Sequence, residues 1–190
     1  NKFVYGDAIG IGSNNVTLDI ARGLSTTISS AERLKTLYGS LVSSPSDDHE
    51  IIEIPIISGD KNIFKQITRS SLNAIIRPRI EETLEMIWQK IRDNNLRSRK
   101  LNNVVLTGGG AMMDNIAKYV ETIFASGVRV SNPLDRLNLS SNFKKPNFCD
   151  IIGTILYEKN IFKIDYLEKQ SNSLKKRGIS SFFTWLDQYI

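Results

Sequence analysis

Cysteine and histidine are almost missing from this chain, with one of each in 190 residues. A single thiol, Cys149, excludes an internal disulfide and suits a reducing compartment. The only histidine, His49, stands in a polar loop, so a Cys-based catalytic or metal site lacks its partners, and Cys149 reads as a buried, inert thiol. Long apolar runs are missing too. No stretch approaches the ~20 residues that span a bilayer, and no signal peptide is visible. The net charge of +5 is spread along the chain without aromatic interleaving or a nucleic-acid motif. That points to an anionic surface or acidic proteins rather than DNA. What remains is ordinary globular composition, 41% hydrophobic and 24% charged, enough for one domain or two small lobes. The chain opens at Asn1 without methionine, inside a strand-like pattern (Phe3, Val4, Tyr5), and reads as a fragment whose N-terminal part is missing.

The clearest local signal is Val104-Val105-Leu106-Thr107 running into Gly108-Gly109-Gly110. Without Cβ atoms the three glycines let the backbone turn sharply and let a ligand lie against it. The spacing predicts a helix over 113–125, whose N-terminal amides would face the same spot and favour a phosphate or ribose oxygen. A tight strand-to-helix turn with no ligand is the competing explanation.

Around this motif the pattern is mixed α/β. Residues 2–11 read as a strand, and Ser13 or Asn14 as the cap of a helix from Val16 to Leu24. Ser29 or Ser30 caps a second helix, Ala31 to Tyr38, which Gly39 stops. Ser43 to Glu50 is a polar loop. Ile51 to Ile57 reads as a strand, with Pro55 pointing to an edge position, and Gly59 to Asn62 as a turn. Ile63 to about Asn95 reads as a long helical stretch, kinked or broken at Pro78. Strands follow at 103–106 and Val128–Val130, and a last core helix runs from Pro146 to Tyr157. Glu32 and Lys35 lie three apart on one helix face and can reach a common point. They form either a surface ion pair or a ligand contact, the carboxylate accepting from ribose hydroxyls and the ammonium complementing a base or phosphate.

The tail has its own pattern. Residues 161–176 read as a flexible linker, and 177–190 as an amphipathic helix. Ile179, Phe182, Phe183, Leu186, Tyr189 and Ile190 share one face, with Trp185 at its edge, and Lys175, Lys176 and Arg177 lead into it. Aromatics, a basic lead-in and a tether point to an interfacial membrane helix. Docking back on the domain, or on a partner, is the alternative.

Four segments resemble the C-terminal half of the FtsA family, actin-like bacterial division proteins in the actin/Hsp70/sugar-kinase superfamily. They are Gly10 to Ala21; Ala31-Glu32-Arg33-Leu34-Lys35-Thr36-Leu37-Tyr38-Gly39; Ile76-Arg77-Pro78-Arg79-Ile80-Glu81-Glu82; and Val104 to Gly110 with Phe124 to Pro133 and Pro146-Asn147-Phe148. Ser13 departs from the family's usual glycine, and Met113-Asp114-Asn115 from its usual helix start. The resemblance implies an α/β actin-like ATPase (ribonuclease H-like) fold, here the second large domain. Residues 1–25 and 101–160 would form its larger lobe and 26–100 an inserted smaller lobe. It implies ATP as ligand, held by Gly108, Gly109, Gly110, Glu32 and Lys35. It also implies self-association into filaments, contact with other division proteins, and docking of the FtsZ C-terminal tail, with Arg79 and Glu82 as candidates. An anionic membrane surface would be met by the terminal helix at the division site, on the cytoplasmic face of the inner membrane. The superfamily's first phosphate hairpin and its aspartate-bearing Mg²⁺ segment are not in this sequence, so no catalytic residue is assigned and this piece alone is not expected to hydrolyse ATP. At most a weak ATPase is expected of the whole protein. Two rival readings remain, a sugar- or acetate-kinase-like phosphotransferase and an actin-like scaffold of the rod-shape or pilus-assembly type.

Overall fold

The computed structural model describes residues 5–56, 63–94, 103–133 and 139–158. The expected turn at Gly59–Asn62, the linker 161–176 and the amphipathic segment 177–190 therefore lie outside the described residues. The chain gathers into two compact units, one of residues 1–106 and 110–129, the other of 107–109 and 130–190.

The first unit is a three-helix layer beside a hairpin. Helix α1, Ser13–Leu24, buries Val16, Ile20 and Leu24, four residues apart on one stripe, together with Thr17. Its cap is Gly12, one residue earlier than expected, because the Asn15 side chain accepts from the Gly12 N–H at 3.0 Å. Helix α2, Ile28–Tyr38, starts at Thr27, whose hydroxyl accepts from the Ser30 N–H. The expected serine caps sit inside its first turn.

The stretch from Ile63 is a strand before it is a helix. Strand β1, Ile51–Ile56, pairs antiparallel with β2, Ile63–Thr68, in a register that sets Ile52 opposite Ile67 and Pro55 opposite Phe64. The run Ile63-Phe64-Lys65-Gln66-Ile67-Thr68 is rich in β-branched and aromatic residues, and pairing with β1 overrides the helical period. Among the described residues β1 pairs with β2 alone, so Pro55 has a free edge on its other side. Its carbonyl accepts from the Thr26 hydroxyl at 2.5 Å, tying the hairpin to the end of α1.

Helix α3, Arg69–Asp93, runs 25 residues without a break and buries Leu72, Ile76, Ile80 and Leu84 against α1 and α2. Pro78 does not split it. Pro78 and Ala74, whose carbonyl loses its intrahelical donor, are both exposed, so water can satisfy that carbonyl. Burying each aliphatic of this stripe contributes about 1.5–3 kcal/mol.

Strands β3, Asn103–Leu106, and β4, Gly127–Val130, form a second two-stranded sheet around α4, Ile116–Phe124. Helix α4 buries Ile116, Val120 and Phe124, and the Phe124 ring meets Trp88 of α3 edge-on, centroids 5.2 Å apart. Tyr119 donates its hydroxyl to Glu81. Burial and that bond push the phenol up to about 12.

Two expectations are corrected here. Helix α4 starts three residues later than 113, since Asn115 takes a left-handed conformation (φ 59) and a 3₁₀ turn, Gly109–Met112, fills the gap. Its N-terminal amides are therefore not those that follow the glycines directly. Residues 5–11 form no strand; they are fixed instead by Asp7, which accepts from Lys90 at 2.8 Å and from the Tyr5 hydroxyl at 2.6 Å. Those two bonds and the Ala8 N–H lower the Asp7 pKa to about 2.

In the second unit, Pro146–Phe148 forms a 3₁₀ turn that leads into α5, residues 149–158. The Phe143 and Phe148 rings pack edge-on, and the Cys149 thiol donates to the Ser131 carbonyl. Cys149 is half-buried rather than buried, and none of the residues of α5 is fully buried. The expected core helix is a surface helix of the described residues.

Gly39 is the tightest point of the helix layer. A Cβ there would stand 2.5 Å from the Lys35 carbonyl oxygen and 3.0 Å from Ile76 Cδ1, whereas one at Gly10 would meet nothing within 4 Å. Gly39→Ala is expected to destabilise the fold by about 1–3 kcal/mol and Gly10→Ala to be near neutral, as read from urea unfolding midpoints.

Candidate functional site

One buried ammonium organises the site. Lys35 is 8% exposed, and its Nζ donates to the Ser13 carbonyl at 3.2 Å, the Thr17 hydroxyl at 2.8 Å and Glu32 Oε2 at 2.6 Å. An ammonium has three N–H donors, and all three are engaged. The Thr17 hydroxyl in turn donates to the same Glu32 oxygen at 2.5 Å. The spacings explain the convergence. Ser13 and Thr17 are four apart on α1, and Glu32 and Lys35 three apart on α2, so each pair lies on one face and the two faces meet.

The result is a polarised carboxylate. Glu32 keeps 52% of its side chain exposed, with Oε2 tied down by two donors and Oε1 left to accept. Burial raises the Glu32 pKa, but the bonds from Lys35 and Thr17 and the Lys35 charge outweigh it, so the group titrates below its ordinary value of 4.5. The sequence paired Glu32 with Lys35 correctly. It missed Thr17 and the Ser13 carbonyl. Thr17 was detectable as a hydroxyl inside the apolar stripe Val16, Ile20, Leu24, where a buried polar group needs a partner.

The glycines divide between the two units. Gly110 belongs to the first, where a Cβ would stand 3.5 Å from the Ser13 side chain, so it lies beside the residue whose carbonyl holds Lys35. Gly108 and Gly109 belong to the second. Gly108 has φ +85, a conformation that favours glycine, and its N–H donates to the Pro146 carbonyl at 3.0 Å. A Cβ on Gly109 would meet nothing within 4 Å. Among the described residues no packing demands glycine there. Among the described residues no cluster of His, Cys, Asp and Glu is suited to a metal ion.

Arg79 and Glu82 are brought together elsewhere. The Arg79 guanidinium holds both oxygens of Asp19 on α1, Nε at 2.5 Å and Nη2 at 3.2 Å, and pairs with Glu82. Glu82 is half exposed.

Because the folded Glu32 pKa is depressed, its contribution to stability is present above the ordinary carboxyl value and is lost as pH falls through the folded value. Glu32→Gln should therefore flatten the loss of stability below pH 4.5, as measured by urea midpoints across an acid series. An unchanged slope would show that the bonds to Lys35 and Thr17 do not persist in solution.

Comparison with known proteins identifies the family and the fold. A family model described as "Cell division protein FtsA" matches residues 1–153. FtsA of Rhizobium meliloti is 37% identical over 190 residues, covering 100% of this chain and 43% of that protein. FtsA of Escherichia coli K12 is 27% identical over 180 residues, 91% of this chain and 41% of the relative. The chain thus spans less than half the length of these curated relatives. Among solved structures, MreB5 of Spiroplasma citri bound to ADP superposes with a TM-score of 0.64 at 20% identity, covering 83% of this chain and 47% of that one. The same protein bound to AMPPNP gives 0.61. MreB5 is actin-like, so the fold is the actin-like ATPase fold. Among the described residues no helix is long and apolar enough to cross a membrane. Matched by that family model over residues 1–153 and 37% identical to one of its members, the chain belongs to the FtsA family of cell division proteins.

Proposed function

We propose that the whole protein carrying this chain is a division adaptor: it binds ATP, assembles into actin-like filaments and tethers FtsZ filaments to the cytoplasmic membrane. The observation that carries the nucleotide part is the Glu32 carboxylate, exposed on one side and fixed on the other by Lys35 and Thr17. Glu32 accepts from the ribose hydroxyls. Lys35, its donors engaged, orients Glu32 and neutralises it rather than reaching the nucleotide. Gly108, Gly109 and Gly110 leave the backbone bare for the nucleotide's approach. ATP, when bound, would supply the conformational and polymerisation signal, and residues outside this chain would hold its Mg²⁺. The role is binding rather than turnover.

The membrane part rests on sequence pattern. Ile179, Phe182, Phe183, Trp185, Leu186, Tyr189 and Ile190 enter the lipid interface while Lys175, Lys176 and Arg177 meet its anionic headgroups, each base adding ~1 kcal/mol. One short helix of this kind binds reversibly, and a filament makes the attachment durable through avidity. The FtsZ tail is assigned to α3 around Arg79 and Glu82, where the Glu82 carboxylate is half exposed. The protein works at the division site, on the inner face of the membrane.

Two experiments on the full-length protein test these assignments. Gly109→Val should leave the urea midpoint within about 0.5 kcal/mol of wild type while weakening ATP binding about tenfold or more, near 1.4 kcal/mol. Unchanged affinity would remove Gly109 from the site. In flotation with anionic liposomes, the intact protein should float and one ending at Arg177 should not, and salt should weaken the binding. If both stay soluble, the terminal segment is a docking helix.

A further inference from the structure

Two donors under the loop 40–43 have no acceptor. Asn73 of α3 is 4% exposed and accepts the Ser40 N–H at 2.9 Å on Oδ1, which fixes the orientation of its amide and leaves Nδ2 buried without a partner. Arg77 lies one turn along the same helix. Its Nη2 donates to the Ser43 hydroxyl at 2.5 Å, while its Nε is buried and unpartnered. No carboxylate among the described residues pairs with this guanidinium. The next carboxylate along α3, Glu81, accepts from Tyr119 instead. The Arg77 charge is felt at Tyr119, but its hydrogen-bond partner among the described residues is a neutral serine, and with a second unmet donor one helical turn away the pair calls for an acceptor that carries charge.

We propose that Ser43, Arg77 and Asn73 form a site for one tetrahedral phosphoryl oxyanion, arriving as free phosphate or as a phosphoryl group carried on Ser43. The planar fork of Arg77 matches two oxygens of such a group, and the Asn73 amide offers a third donor. Ser43 is exposed on its loop and within reach of a modifying enzyme. In that case the Ser43 hydroxyl oxygen attacks the terminal phosphorus of a nucleoside triphosphate supplied by a serine kinase; the bond to the diphosphate leaving group breaks and the hydroxyl proton is released. The neighbouring serines do not compete. Ser44 and Ser46 bond to each other, and the Ser44 N–H is capped by the Asp47 carboxylate at 2.9 Å, which would repel a phosphate placed there. This site is independent of the nucleotide and FtsZ assignments.

The test uses the full-length protein. Phosphoserine is incorporated at position 43 or, as control, at 46, and each phosphate is titrated by phosphorus NMR. The phosphate at 43 should titrate on the order of one pH unit below that at 46, and Arg77→Lys should remove most of the difference because the fork is lost. In a second arm, inorganic phosphate is titrated calorimetrically into the unmodified protein, Arg77→Gln and Ser43→Ala. Saturable binding lost in both variants identifies free phosphate as the ligand. Ser43→Ala lies on an exposed loop and serves alone if Arg77→Gln fails to fold. Equal titration at 43 and 46, together with no saturable phosphate binding, overturns the proposal.

Discussion

The buried ammonium of Lys35 is the contact on which the rest of the first unit depends. A cation in the interior is tolerated only when each donor is met, and here the three acceptors come from two helices: the Ser13 carbonyl and Thr17 hydroxyl on α1, and Glu32 on α2. The same bonds do two jobs. They lock the crossing of α1 on α2, and they hold one carboxylate oxygen of Glu32 still while the other faces solvent. Structure and site are therefore one arrangement, and Gly110 beside Ser13 lies within it.

Around that node α3 acts as a strut. Its apolar stripe of Leu72, Ile76, Ile80 and Leu84 packs inward, Gly39 lets α2 pass close to Ile76, and Arg79 clamps Asp19 of α1. On the other side its polar residues reach outward to the 40–43 loop and to Tyr119. One helix thus connects α1 and α2 to the hairpin and to α4.

Much of this was legible in the sequence, for stated reasons. The helices α1 and α2, the strand before the glycines and the Glu32–Lys35 pairing follow from local spacing, and the family resemblance followed from the order of four segments. What escaped depended on tertiary partners. Ile63 to Thr68 became a strand because β1 was there to pair with it. Pro78 left α3 whole because Ala74 and Pro78 face water. Asn115 delayed α4 by adopting a left-handed conformation that spacing does not reveal. Thr17 and Ser13 entered the site through α1, and only the packing of two helices brings them to Lys35.

The central claim is that Glu32 is a ribose acceptor held in place by Lys35. Its most direct test is the ratio of affinities for ATP and 2′,3′-dideoxy-ATP, measured on the full-length protein and its Glu32→Gln variant. The account predicts that wild type prefers ATP by about tenfold, near 1.4 kcal/mol, and that the preference falls to near unity in the variant. An equal ratio in both proteins would contradict it, and Glu32 would be a structural partner of Lys35 and nothing more.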